Sequence, residues 1–150
     1  MFLLLIRHGD ATMSSPDSER PLSESGKKEV QALSEFLTKK FTNIEFQNFK
    51  LIHSPLKRAI ETKDIVVKNF NITDINENTN LTPMSDTKKW ENDLIMANSN
   101  TVLVGHQPFM ADLAQLLTSK SYSLPTGNAI LLSKDDNSLW SCLHETWKEI

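Results

Sequence analysis

Four residues, spread widely along the chain, could together do chemistry on an anion: Arg7, His8, Arg58 and His106. The sixteen basic side chains include only three arginines, Arg7, Arg20 and Arg58; the rest are lysine. A guanidinium presents a planar fork that donates two parallel hydrogen bonds to a phosphoryl group and stays charged. An imidazole, with an ordinary pKa of ~6.5, offers an unprotonated nitrogen near neutral pH and can serve as nucleophile or proton carrier. Two or three such forks around two histidines describe a phosphate pocket. Taken singly, each residue has a plainer reading. A lone histidine is more often structural than catalytic, and a lone arginine at a strand end or on a helix is by default a solvated charge. Arg20 lies in a polar stretch with Pro16 and Pro21 and is the least secure of the set.

The elements expected around these residues make the joint reading the stronger one. Phe2 to Ile6 is an apolar run with the look of a buried strand, and Arg7-His8 follows it directly. Residues 10–21 read as a loop. Ser23 reads as the N-cap of a helix reaching about Lys40, with Val30, Leu33, Leu37 and Phe41 on its apolar face. Leu51-Ile52-His53 reads as a second strand. Ser54-Pro55 then supplies an N-cap and a first helical residue, for a helix to about Lys68 with Arg58 in its first turn. A weak strand is expected near Ile72 and Ile75. A helix capped by Ser85 or Asp86 should carry Trp90, Leu94 and Ala97. Thr101 to Val104 is the clearest strand, followed by Gly105-His106-Gln107-Pro108 and a helix to about Thr118. Ala129–Ser133 and Leu139–Trp147 read as a closing pair of strands, joined by a turn at Asp135-Asp136-Asn137. Strands alternating with helices imply an α/β domain, a mainly parallel but mixed sheet with helices on both faces. Linkers are short, so residues 1–150 are expected to form one domain. In such sheets ligands bind beyond the carboxyl ends of the strands, where Arg7, His8, Arg58 and His106 are all expected.

Three segments carry a resemblance to a known family. Arg7-His8-Gly9 after an apolar strand resembles the opening motif of the histidine phosphatase superfamily. Ser54-Pro55-Leu56-Lys57-Arg58-Ala59-Ile60-Glu61-Thr62 resembles its second motif, and Gly105-His106-Gln107-Pro108 its third. The short chain, Arg7-His8-Gly9-Asp10-Ala11 and Arg20-Pro21-Leu22 look most like its phosphohistidine phosphatase branch, the SixA type. The likeness runs from Met1 to about Ser133. It implies a three-layer α/β/α, phosphoglycerate mutase-like fold. It also implies His8 as a nucleophile that becomes phosphorylated, Arg7, Arg58 and His106 holding the phosphoryl oxygens, and Arg20 as a substrate contact. Glu61 stands where the family often has glutamine and is expected to bring negative charge close to Arg58.

The chemistry then has two steps. His8 takes the phosphoryl group, and water hydrolyses the phosphohistidine. Arginines and, if protonated, His106 would stabilise the equatorial oxygens. His8's second ring nitrogen needs a partner to fix its tautomer, and a nearby backbone carbonyl is the expected one. Many members of the family use a further acid to protonate the leaving group. Asp10, Glu77 and Asp86 are candidates here, none in a diagnostic context. An alkoxide leaving group, with a conjugate acid pKa of ~16 taking water as guide, needs such a donor. A phosphohistidine can leave as neutral imidazole once its other nitrogen is protonated. The expected substrate is therefore a phosphohistidine-bearing protein and the product inorganic phosphate. The alternatives are a small-metabolite phosphomonoesterase on the same scaffold and a non-catalytic phosphoprotein-binding module.

The remaining features bound the problem. The net charge of −3 predicts no general affinity for nucleic acid or an anionic membrane. No stretch approaches the ~20 apolar residues of a membrane helix, and Phe2–Ile6 is too short for a signal segment, so a cytoplasmic protein is expected. Cys142 is the one cysteine, which excludes an intrachain disulfide and a thiolate zinc cage; a core position is expected for it. No phosphate-binding glycine loop, zinc-binding histidine pair or acidic cluster is present, so no metal or other cofactor is expected. His53 and His144 read as structural, and Trp90, Trp140 and Trp147 as packing residues.

Overall fold

The computed structural model describes residues 1–149. Its strands are β1 (Phe2–Arg7), β2 (Lys50–His53), β3 (Asp74–Glu77), β4 (Thr101–Gly105), β5 (Ala129–Lys134) and β6 (Trp140–Glu145). Its helices are α1 (Glu24–Lys40), α2 (Lys57–Phe70), α3 (Lys88–Met96) and α4 (Phe109–Thr118). The sheet runs in the order β3-β2-β4-β1-β5-β6. β3, β2, β4 and β1 are parallel, whereas β5 is antiparallel to β1 and to β6. The architecture is the expected mixed α/β sheet with helices on both faces.

β1 is apolar throughout because both of its faces are covered. Leu4 and Ile6 pack with Val30, Leu33 and Leu37 of α1 and Val66 of α2. Leu3 and Leu5 point the other way, into the cluster holding Leu94 of α3 and Phe109, Met110 and Leu113 of α4. Each such buried side chain contributes roughly 1.5–3 kcal/mol, so β1 is held firmly from both sides. α1 begins as its sequence indicates, with the Ser23 hydroxyl accepting from the Gly26 N–H at 3.0 Å.

Several boundaries differ from expectation, each for a local reason. α2 starts at Lys57, after Leu56, and not at Pro55. The Ser54 hydroxyl accepts from the Leu56 N–H at 3.2 Å and also meets His106, so it serves a turn and a neighbour instead of a helix cap. Thr87 precedes α3. Asp86 Oδ1 accepts from the Lys88 N–H at 3.0 Å, while Ser85 bonds back to Thr82, and Ala97 falls just beyond the helix. The last strand stops at Glu145, leaving Trp147 in a 3-10 turn, and it starts at Trp140. Leu139 belongs to the hairpin turn, where Asp135 Oδ1 accepts from the N–H groups of Asn137 and Leu139. Cys142 is half-buried on β6 and not in the core.

Candidate active site

The register of two parallel strands assembles the centre. Arg7 pairs with Gly105 at the carboxyl ends of β1 and β4, and the His8 N–H donates to the Gly105 carbonyl at 3.0 Å. The next residue on each strand is a histidine. His8 and His106 therefore emerge side by side, their ring centroids 5.0 Å apart. On the far side of β4, His53 pairs with Val104, and the Ser54 N–H donates to the Val104 carbonyl at 3.0 Å. That places Ser54 against His106, with Nε2 and the hydroxyl oxygen 2.7 Å apart. Arg58 enters from the first turn of α2. Arg7, His8, Arg20, Arg58 and His106 all line one cavity of about 600 Å³ at this sheet edge.

Close backbone packing holds His8 in place. A Cβ on Gly26 would lie 2.1 Å from the Asp10 carbonyl oxygen, and one on Gly9 2.6 Å from the Gly26 oxygen. Only glycine lets the first turn of α1 approach the end of β1 this closely. Thr62 of α2 adds a tie: its hydroxyl accepts from the Gly9 N–H at 3.1 Å and donates to the Arg58 carbonyl at 2.8 Å. Neither glycine's packing role nor Thr62's was read from the sequence, although both Gly9 and Thr62 lie inside the motifs.

His8 Nδ1 lies 2.7 Å from the Gly9 carbonyl oxygen. A carbonyl can only accept, so Nδ1 carries the proton and Nε2 keeps its lone pair. His8 is pushed down to about 4, first by burial and then by the charges of Arg58, Arg7 and Arg20, against the Gly9 hydrogen bond. His106 is pushed down to about 3, by burial, His8 and Arg58. Both imidazoles are thus neutral at neutral pH in the unliganded site. An arriving phosphoryl dianion would favour protonation of His106. Ser54 Oγ accepts from Leu56 and pairs with His106 Nε2, which leaves the other ring nitrogen, Nδ1, to find its own partner. That Nδ1, together with Arg7 Nε and Arg58 Nε, is buried without a hydrogen-bond partner. Three unanswered nitrogens on neighbouring side chains suit an oxyanion.

The acidic residues fall into place differently from the sequence reading. Glu61 does not address Arg58; its carboxylate accepts from the Leu22 N–H at 2.7 Å and so staples the loop before α1 to α2. The carboxylate beside Arg58 is Asp17, at 3.3 Å from Nη2, while Nη1 donates to the Asp17 carbonyl at 2.9 Å. Asp17 lies in a 3-10 turn of the loop between β1 and α1, and no signal in the sequence singled it out. Of the three candidate acids, only Asp10 lines the cavity, where it accepts from the Ser23 hydroxyl at 2.6 Å. Glu77 is exposed on β3 and Asp86 accepts from the Lys88 N–H before α3, and neither lines the cavity. His53 is buried, with Nδ1 2.9 Å from the Ser54 carbonyl, and His144 stacks on Phe36. Among the described residues no cluster of His, Cys, Asp or Glu could hold a metal ion, and no helix is long and apolar enough to cross a membrane.

With the geometry in hand, the chain can be set beside known proteins. The family model of the histidine phosphatase superfamily (branch 1) matches residues 3–94. The fold is similar to that of the protein histidine phosphatase SixA complexed with tungstate, with a TM-score of 0.86 and 22% identity over 97% of this chain and 96% of that one. It is also similar to a candidate phosphohistidine phosphatase SixA from Agrobacterium tumefaciens, with a TM-score of 0.79 and 20% identity over 96% of each chain. A mycobacterial glucosyl-3-phosphoglycerate phosphatase shares the fold at a TM-score of 0.70 and 16% identity, over 95% of this chain and 96% of that one. No curated protein sequence matches.

Proposed function

Because this chain belongs to the histidine phosphatase superfamily, branch 1, we propose that it is a phosphohistidine phosphatase acting on histidine-phosphorylated proteins through a phospho-His8 intermediate. The observation that carries the reading is His8 itself. Its Nδ1 is committed to the Gly9 carbonyl, its Nε2 is unprotonated, and it stands 5.0 Å from His106 in a cavity walled by Arg7 and Arg58.

In this reading Nε2 of His8 attacks phosphorus, forming a new P–N bond as the substrate's P–N bond breaks. The departing imidazole keeps the electron pair and leaves neutral once its other nitrogen has taken a proton from solvent, for which a ring pKa of ~6.5 is the guide. Arg7, Arg58 and His106 hold the three equatorial oxygens, so that stabilisation is strongest when charge spreads over them. Water then attacks the phospho-His8 phosphorus, releasing inorganic phosphate and restoring the nucleophile. Arg20 is a weaker substrate contact than its position suggests, since its guanidinium is already bonded to Asp17 and Thr12.

One observation favours a second reading, a metabolite phosphomonoesterase: the Asp10 carboxylate does line the cavity, and an ester needs an acid there. A third, a non-catalytic phosphoprotein-binding module, uses the same pocket without turnover. A side-by-side assay of the full chain on a histidine-phosphorylated protein and on a phosphomonoester decides among them. We expect phosphohistidine turnover, its abolition in His8→Ala, and a loss of orders of magnitude in Arg58→Ala. Turnover of the ester alone would favour the metabolite enzyme. Binding without any turnover, lost equally in His8→Ala, would favour the binding module.

A further inference from the structure

Two arginines of the cavity share a counter-anion in the loop between β1 and α1. Asp17 takes two guanidinium groups at once: Oδ1 accepts from Arg20 Nη1 at 3.2 Å, and Oδ2 from Arg58 Nη2 at 3.3 Å. Its backbone carbonyl accepts a further bond from Arg58 Nη1 at 2.9 Å. The rest of Arg20 is spent as well, with Nε donating to the Thr12 carbonyl at 2.8 Å and Nη2 reaching Met13 Sδ at 3.6 Å. Asp17 itself is exposed at 65% and belongs to the loop, whereas the Arg58 side chain is 6% exposed and belongs to α2. One surface carboxylate thus fixes the direction of a buried phosphate-reading fork.

Charge bookkeeping around the cavity points the same way. Arg7, Arg20 and Arg58 bring three positive charges; Asp10, on the wall, Asp17, behind two of the arginines, and Glu29, which acts on Arg7 and accepts from the Asp10 N–H, bring three negative ones. Both histidines are neutral, and among the described residues no lysine lines the cavity. A phosphoryl dianion therefore relies on the unpartnered nitrogens of Arg7 and Arg58, since Arg20 is already committed to Asp17 and Thr12. A second anionic group next to the phosphoryl group would find Arg20 already committed to Asp17 and would have the Asp10 carboxylate on the cavity wall.

We propose that Asp17 is a specificity-determining residue that positions Arg58 and Arg20 and turns away phosphorylated substrates bearing a second negative charge beside the phosphoryl group. The inference rests on the phosphatase reading and deepens it. It names the accepted class as phosphoryl groups on neutral carriers, such as imidazole, and the rejected class as carboxylate-bearing phosphometabolites. The Asp17 carboxylate lies one guanidinium away from the oxyanion position. A second anionic group held ~8 Å from the Asp17 carboxylate, at an effective dielectric constant of about 30, would bind about tenfold more weakly.

The test uses two non-hydrolysable probes that differ by one carboxylate, phenylphosphonate and 2-carboxyphenylphosphonate, titrated calorimetrically against the full chain. The native protein is expected to bind the carboxylated probe about tenfold more weakly. Asp17→Asn keeps an oxygen for the arginines and removes the charge, and should narrow that ratio by about threefold or more. Asp17→Glu keeps the charge and should keep the wide ratio. A merely structural role would shift both probes together and leave the ratio alone. A native protein without discrimination, or a ratio unchanged in Asp17→Asn, overturns the proposal. Turnover of a histidine-phosphorylated protein is measured in parallel. Turnover with an unchanged ratio sinks the Asp17 assignment alone. A shifted ratio without turnover sinks the phosphatase reading and leaves the assignment standing.

Discussion

Two buried neutral imidazoles make this protein acid-sensitive in a way that can be worked through from the site. His8 is held at about 4 and His106 at about 3, against the ordinary value of 6.5 that each regains on unfolding. Between pH 6.5 and those values the unfolded chain binds protons that the folded chain refuses. Stability therefore rises with pH across that window and falls as pH drops through it. At pH 4.5, some two units below the ordinary histidine value, each imidazole withdraws about 2–3 kcal/mol of stability, at ~1.4 kcal/mol per unit. The pair together withdraws on the order of 5 kcal/mol, comparable with the whole stability of a small domain. Urea unfolding of the native protein and of His106→Gln at pH 7.5 and 4.5 measures this. Other titrating groups contribute to both proteins, so the informative quantity is the difference between their losses. The variant should lose about 2–3 kcal/mol less than the native protein over that interval. Equal losses would refute the argument that His106 is buried uncharged. The same reasoning predicts that inorganic phosphate raises the His106 midpoint, observable as a shift in its NMR titration.

Three further outcomes follow from particular contacts. Ser54→Ala removes the partner of His106 Nε2 and of the Leu56 N–H, and should cost about 1–3 kcal/mol in chemical unfolding and about tenfold or more in kcat/KM. Gly26→Ala drives a methyl group to 2.1 Å from the Asp10 carbonyl oxygen, so the backbone must part. A loss of about 1–3 kcal/mol in thermal unfolding is expected, with turnover reduced because His8 moves with Gly9. Glu61→Gln retains an oxygen for the Leu22 N–H and leaves Arg58 untouched; turnover should stay within about twofold of native and stability within about 1 kcal/mol. A large gain in turnover there would instead restore a direct charge effect of Glu61 on Arg58.

Much of the architecture was legible along the chain because it is locally encoded. The Phe2–Ile6 run announces a strand covered on both faces, and Ser23 announces α1 because its hydroxyl has one nearby backbone N–H to serve. Arg7-His8, Arg58 and His106 were readable as a set because each sits just past a recognisable strand, and parallel strands deliver their carboxyl ends to one edge. Which neighbour a long or polar side chain chooses is another matter. Glu61 lies one turn beyond Arg58 on α2, yet its carboxylate reaches across to Leu22, because tertiary packing brought an unpaired N–H there. Ser54 looks like a cap in sequence and became the partner of His106, since the β2–β4 register set the two together. Asp17 carries no local mark; only the fold of its loop over α2 brought it between Arg20 and Arg58. Residue types and strand ends determined what the site is made of. The packing of segments distant in sequence decided which proton, charge and hydrogen bond each member holds, because those depend on burial and on partners that no local pattern contains.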